Sequence, residues 1–166
     1  DLDIYVLDFQ TMRLHRQTTL GYITDYPAWS RDGEHMAFVS AFEGNAIIYA
    51  MPVLDDHTAS PSILMPASRR LALQDLHWSP DGTSILFNDD VQLGIMRLDV
   101  NSGQTTVLIR DRFARSAHFS PDGRQISFIS TSRATFTGGG LYIASSDGSD
   151  ITQIPIPNYI FNTGSR

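Results

Sequence analysis

Two histidines, His77 and His118, each stand directly before an aromatic residue in nearly identical stretches, HWSPDG and HFSPDG. Imidazoles brought together from two such stretches could line a channel and hold a metal or an anionic group. A third copy, AWSRDG, has Ala28 at the same place, so the pair equally fits the plainer role of filling a gap between repeated units. Three carboxylates recur in the same copies, Asp32, Asp81 and Asp122, each followed by a glycine, Gly33, Gly82 and Gly123. Pro presets φ early in a type I turn, Asp tolerates the next position, and Gly accepts the left-handed conformation that follows. These six residues are therefore read as turn-forming, not catalytic. Arg31 replaces the proline in the first copy, which a type I turn allows.

Arginines form the remaining constellation. Arg69, Arg70, Arg110, Arg112, Arg115 and Arg133 fall in connecting segments, near Tyr26 and Asp75 in strand order. Guanidinium groups make planar, two-pronged contacts to carboxylates, and loops carry function in folds built of repeated strands. These eight residues form a candidate binding face. Acids Asp25, Glu43, Asp89, Asp90 and Asp111 share its loops, so the face is mixed, while the opposite turns collect mostly aspartates. Tyr22, Tyr26, Phe42 and Phe136 are stacking candidates should the ligand be a sugar.

Several chemistries find no motif. Gly-x-Ser-x-Gly, His-Glu-x-x-His, a phosphate-binding glycine loop and EF-hand spacing are absent. The glycines at 138–140 read as a flexible hairpin, and Asp147-Gly148-Ser149-Asp150 has too few acids for calcium. No catalytic residue, metal site or cofactor is predicted. The net charge of −6 and pI near 5.1 argue against nucleic acid as a general partner. The 166 residues contain no cysteine, and no apolar run approaches the roughly 20 residues of a membrane helix. The opening DLDIYVLDFQ lacks the basic start and long apolar stretch of a signal peptide.

Repeat spacing sets the strand order that carries these groups. Trp29, Trp78 and Phe119 lie 49 and 41 residues apart, and a weaker copy, IFNTG, places Phe161 another 42 on. Periods of about 40–50 residues with strand signals belong to propeller blades of four strands. After each turn come alternating β-rich runs such as HMAFVS, SILFND and QISFIS, then AIIYAMP, LGIMRLDV and GLYIASS, then PSILMP, TTVLI and ITQIPI. The fold class is all-β, a propeller of four-stranded antiparallel blades with about three and a half blades present. The expected division is two outer strands over 1–19, blades over 20–66, 67–109 and 110–156, and one inner strand over 157–166. Beginning and ending mid-blade points to a piece of a longer chain. Closure of the last strand onto the first two, or two chains in one ring of seven, are the alternatives.

The aromatic-Ser-Pro-Asp-Gly turn, the I-x-F strand after it and the segment LYIASSDGSDITQI resemble the WD-like β-propeller repeat of TolB and its relatives. The resemblance covers almost the whole chain. The chain is read as a non-catalytic module for a protein or peptide partner, without membrane insertion, that closes on itself or self-associates through open ends carrying Ile4, Val6 and Leu14 at one side and Ile160 and Phe161 at the other. The resemblance favours a periplasmic or extracytoplasmic location. It equally implies the propeller portion of a prolyl-oligopeptidase-like serine peptidase, because such repeats specify a blade and not a function. A glycan- or small-molecule-binding propeller is the third reading.

Overall fold

The computed structural model of the protein describes residues 2–43, 45–53, 60–69, 73–89, 94–131 and 139–155, with the side chains at 42 and 66–69 also outside that description. The described elements are all strands. A two-stranded sheet pairs β1 (Tyr5–Asp8) with β2 (Arg13–Arg16). Three antiparallel four-stranded sheets follow, each in chain order. The first holds β3 (Ile23–Trp29), β4 (His35–Phe42), β5 (Asn45–Pro52) and β6 (Ser62–Arg69). The second holds β7 (Leu73–Trp78), β8 (Ser84–Asp89), β9 (Gly94–Asp99) and β10 (Thr105–Ile109). The third holds β11 (Arg115–Phe119), β12 (Gln125–Ser130), β13 (Gly140–Ser145) and β14 (Thr152–Gln153).

Sheets stack face to face, and apolar residues on both faces of the middle sheet explain why. Ile85, Phe87, Met96 and Leu98 pack with Val39, Ile48 and Trp78 between the first two four-stranded sheets. Leu86 and Ile95, on the opposite face, pack with Ile126, Phe128, Tyr142 and Ala144 of the third. Consequently β8 is buried along its whole length. At the N-terminal end, Ile4 packs with Met36, Phe38 and Met51. Burial of this apolar area, at about 25 cal/mol per Å², is what holds neighbouring sheets together. The innermost strands β3, β7 and β11 lie side by side.

One hydrogen-bond network closes each repeated turn. Gly82 N–H donates to the Ser79 carbonyl at 3.0 Å, and Gly33 and Gly123 do the same to Ser30 and Ser120. The Ser79 hydroxyl donates to Asp81 at 2.6 Å and accepts the Ser84 amide at 2.9 Å. Asp81 accepts the Thr83 amide at 3.0 Å. The same set recurs around Ser30 and Asp32, and around Ser120 and Asp122. The serine is thus the hub of the turn, closing the strand ends on one side and holding the aspartate on the other. Ser hydroxyl and backbone amide donors keep all three aspartates below the ordinary carboxylate pKa, the Ser bond contributing most.

At Gly82, φ is +70° and the space where a Cβ would stand is open. Replacement by Val therefore tests backbone strain without a clash. Gly82→Val is expected to lower unfolding free energy by about 1–3 kcal/mol in denaturant titrations. An unchanged midpoint would contradict this turn assignment.

The outer face of the first pair differs from expectation. Ile4 and Val6 do not share the open end with Leu14: Ile4 is buried against the next sheet and Val6 is half-buried. Tyr5 and Leu7 occupy the open face instead, Leu7 opposite Leu14 in the ladder. Both phases of the β1 alternation are apolar, so the period of 2 alone cannot say which side faces in. Ile160 and Phe161, the apolar pair near the C-terminus, lie outside the described residues.

Candidate functional site: the wall of innermost strands

Each innermost strand contains the same irregularity. Register shifts interrupt the ladders between Asp25 and Ala28, Gln74 and His77, and Arg115 and His118. At each, one residue has positive φ: Tyr26 at 52°, Asp75 at 54° and Ser116 at 54°. All three lie three positions before the repeat aromatic. A bulge of this kind breaks the pleat and re-aims side chains. Non-glycine residues at positive φ are costly and persist where surrounding contacts over-determine them.

These bulges bring predicted residues together. Tyr26 and Pro27 from β3, Asp75 and Leu76 from β7, and His118 from β11 line one cavity of about 230 Å³. Asp75 accepts from the Ser116 amide at 3.2 Å and from its hydroxyl at 3.3 Å, joining adjacent inner strands. His77 sits beside this wall, not within it. Its Nδ1 accepts the Phe119 amide at 3.2 Å, and its ring meets His118 edge-on with centroids 4.5 Å apart. His77 is half-buried and fills the gap between blades, while His118 is exposed. Burial first, then the nearby His118, push the His77 pKa below the ordinary imidazole value.

The lowered His77 pKa makes stability depend on pH. A folded pKa below the unfolded value means the unfolded chain binds more protons, so stability is full above about pH 6.5 and falls as pH drops through the folded pKa. Urea midpoints are expected to fall between pH 7 and pH 5, with a shallower decline in His77→Asn. An equal decline in the variant would contradict the assignment.

The arginines divide. Arg110, Arg112 and Arg115 are exposed on and beside the β10–β11 connection, with Arg112 stacked 4.7 Å from the Phe113 ring centroid. Arg70, Arg133 and the Arg69 side chain lie outside the described residues, as do Asp90, Phe136 and the Phe42 side chain. Tyr22 is exposed. Asp89 and Asp111, counted among the charges of this face, are buried. Asp111 accepts the Ser130 hydroxyl at 2.6 Å and the Phe113 amide at 3.0 Å, so it shapes the arginine-bearing loop. The exposed charge of this loop is therefore more positive than the sequence count implies.

Among the described residues, one trio of metal-ligating groups converges: Asp32, Glu34 and His35, all exposed. Asp32 already accepts from Ser30 and the Glu34 amide, so this trio is the turn network and carries no ion assignment.

Four-stranded antiparallel sheets stacked about aligned inner strands define an arc of a β-propeller. The chain belongs to the TolB beta propeller domain family, whose model matches residues 1–164. Solved structures agree on the fold. TolB from Acinetobacter baumannii superposes with TM-score 0.73 at 19% identity, over 92% of this chain and 37% of that one. A chain of a Nidogen/Laminin complex gives TM-score 0.66 at 13% identity, over 90% and 56%. A puromycin-hydrolyzing peptidase of Mycobacterium tuberculosis gives 0.66 at 14% identity, over 87% and 23%. The chain thus spans less than two thirds of each. No curated protein sequence matches it.

Proposed function

We propose that the protein is a binding module that engages a protein or peptide at the wall formed by Tyr26, Asp75 and His118, with Arg110, Arg112 and Arg115 beside it. Arg69, Arg70 and Arg133 belong to the same proposed face by their place in the strand order. The cavity made by the three repeated bulges carries this reading, because strained backbone concentrates at functional positions. It combines an apolar floor with a carboxylate, an imidazole and a tyrosine, the mixture expected of a recognition pocket. A propeller structure solved within a Nidogen/Laminin complex supports the use of this fold for protein contacts. In the test, a displayed peptide library is selected on the protein, and binding is then measured for Asp75→Ala and Arg115→Glu. Both variants are expected to lose at least tenfold in affinity, the range of a charged contact worth about 1.5 kcal/mol or more. Unchanged affinity in both would refute the assignment.

The peptidase neighbour supports a second reading, in which this arc shields or admits substrate for a hydrolase domain elsewhere in a longer chain. Peptide hydrolysis by this chain, abolished by changing one Ser or His, would displace the binding-module proposal.

The first sheet adds a further contact surface. Tyr5, Leu7, Phe9, Met12 and Leu14 are all exposed on or beside β1 and β2. Such a patch is unusual on a soluble monomer. We expect it to be covered by another sheet, within the ring or from a second copy, so light scattering should show self-association that Leu7→Asp weakens. A clean monomer with freely exchanging β1 amides would contradict this.

A further inference from the structure

We propose that the cleft at the turn end of the inner strands is a second binding site, taking a ligand that joins a flat aromatic ring to a carboxylate. It involves other residues than the partner-binding wall and stands independently of that reading. The cleft measures about 310 Å³ and is lined by Trp29, Arg31, His77, Trp78, Pro80, Phe119, Ser120 and Pro121. The volume suits a single ring with a short side chain.

The three repeat-equivalent aromatics play unequal parts. Trp78 is buried, and its indole N–H donates to the Ala28 carbonyl at 3.0 Å. Phe119 is half-buried, and its ring lies 6.3 Å from that of His77. Trp29 is 46% exposed, leaving an indole wall with an open side. Prolines 80 and 121 complete an apolar surface without competing hydrogen-bond donors. Such walls favour a planar ring by stacking.

Charge selects the rest of the ligand. Arg31 is the one residue with a full charge among the described residues that line the cleft, because His77 is held toward its neutral form. The turn does not require this arginine, since the equivalent positions are Pro80 and Pro121. Instead, Arg31 Nη1 donates across to the Pro121 carbonyl, which fixes the guanidinium at the cleft and leaves other N–H donors unused by that bond. Asp32, Asp81 and Asp122 lie in the neighbouring turns, and each already accepts from its serine hydroxyl and a backbone amide. A guanidinium held beside aromatic walls matches a carboxylate on a ring.

Both tryptophans of the chain line the cleft, so their emission and indole N–H signals report on it directly. The protein is titrated with 3-phenylpropionate, with its neutral amide and with phenethylammonium. The acid should perturb Trp29 and bind about tenfold or more tightly than the amide, the range of a charge-assisted hydrogen bond. Arg31→Gln should reduce the acid to the level of the amide. Arg31→Pro, which installs the residue of the other two turns, should do the same in a chain that folds. Equal binding of acid and amide, preference for the ammonium, or undiminished acid binding in either variant would overturn the proposal. A parallel titration with N-acetylglycylphenylalanine identifies the source. Tighter binding than 3-phenylpropionate supports the proposal with a peptide C-terminus as ligand, and matched binding supports it with a free acid.

Discussion

Trp78→Ala is expected to cost about 3–5 kcal/mol of unfolding free energy, while Trp29→Ala costs under about 1 kcal/mol. The two residues are equivalent in the repeat and differ in their neighbours. Trp78 is 7% exposed, packs into the core between β3–β6 and β7–β10, and satisfies its N–H on Ala28. Truncation would open a cavity between two sheets and remove the indole bond to Ala28. Trp29 pairs with Met36 in the ladder, and its ring, 46% exposed, borders the open cleft rather than the core between the sheets. Equal losses in the two variants, measured by denaturant titration, would mean that the blades do not stack through these wedges.

Gly94→Ala should be nearly as damaging, about 3 kcal/mol, although it adds one methyl group. A Cβ on Gly94 would stand 2.0 Å from the Ile109 carbonyl oxygen, and backbone atoms cannot swing away as a side chain can. Gly94 opens β9 opposite Asp89, and the β9–β10 register shifts between Val107 and Ile109 close to the same point. Accommodating the methyl group requires β10 to move off its neighbour. Gly33→Ala offers the contrast, because its cost comes from φ of +76° in open space. If Gly94→Ala unfolds like the wild type, the close approach of β10 is wrong.

Spacing of the Ser-x-Asp-Gly turns and the alternation of apolar residues were enough to read the sheets of four and their stacking. The turns also announced their aspartates and glycines as structural, but the serine hub was not legible. A hydroxyl that caps a strand pair looks like any loop serine until its partners are known. The bulges left no compositional trace either: Tyr26, Asp75 and Ser116 share a backbone conformation but differ in size and charge, and none is glycine. Tyr26, Asp75 and His118 could be named as candidates, yet only the bulge register shows that they meet. Asp89 and Asp111 misled the charge count because burial cannot be read from a residue name. Gly94 is a signal that was available, since a glycine within a strand marks close backbone approach.

Amide hydrogen exchange of the protein with a selected peptide bound locates the surface that the partner covers. Engagement of the inner-strand wall predicts slowed exchange at residues 26, 28, 75–77 and 115–118, with the outer strands β6 and β10 unchanged. Protection confined to those outer strands, or to the aspartate-rich turns, would contradict it.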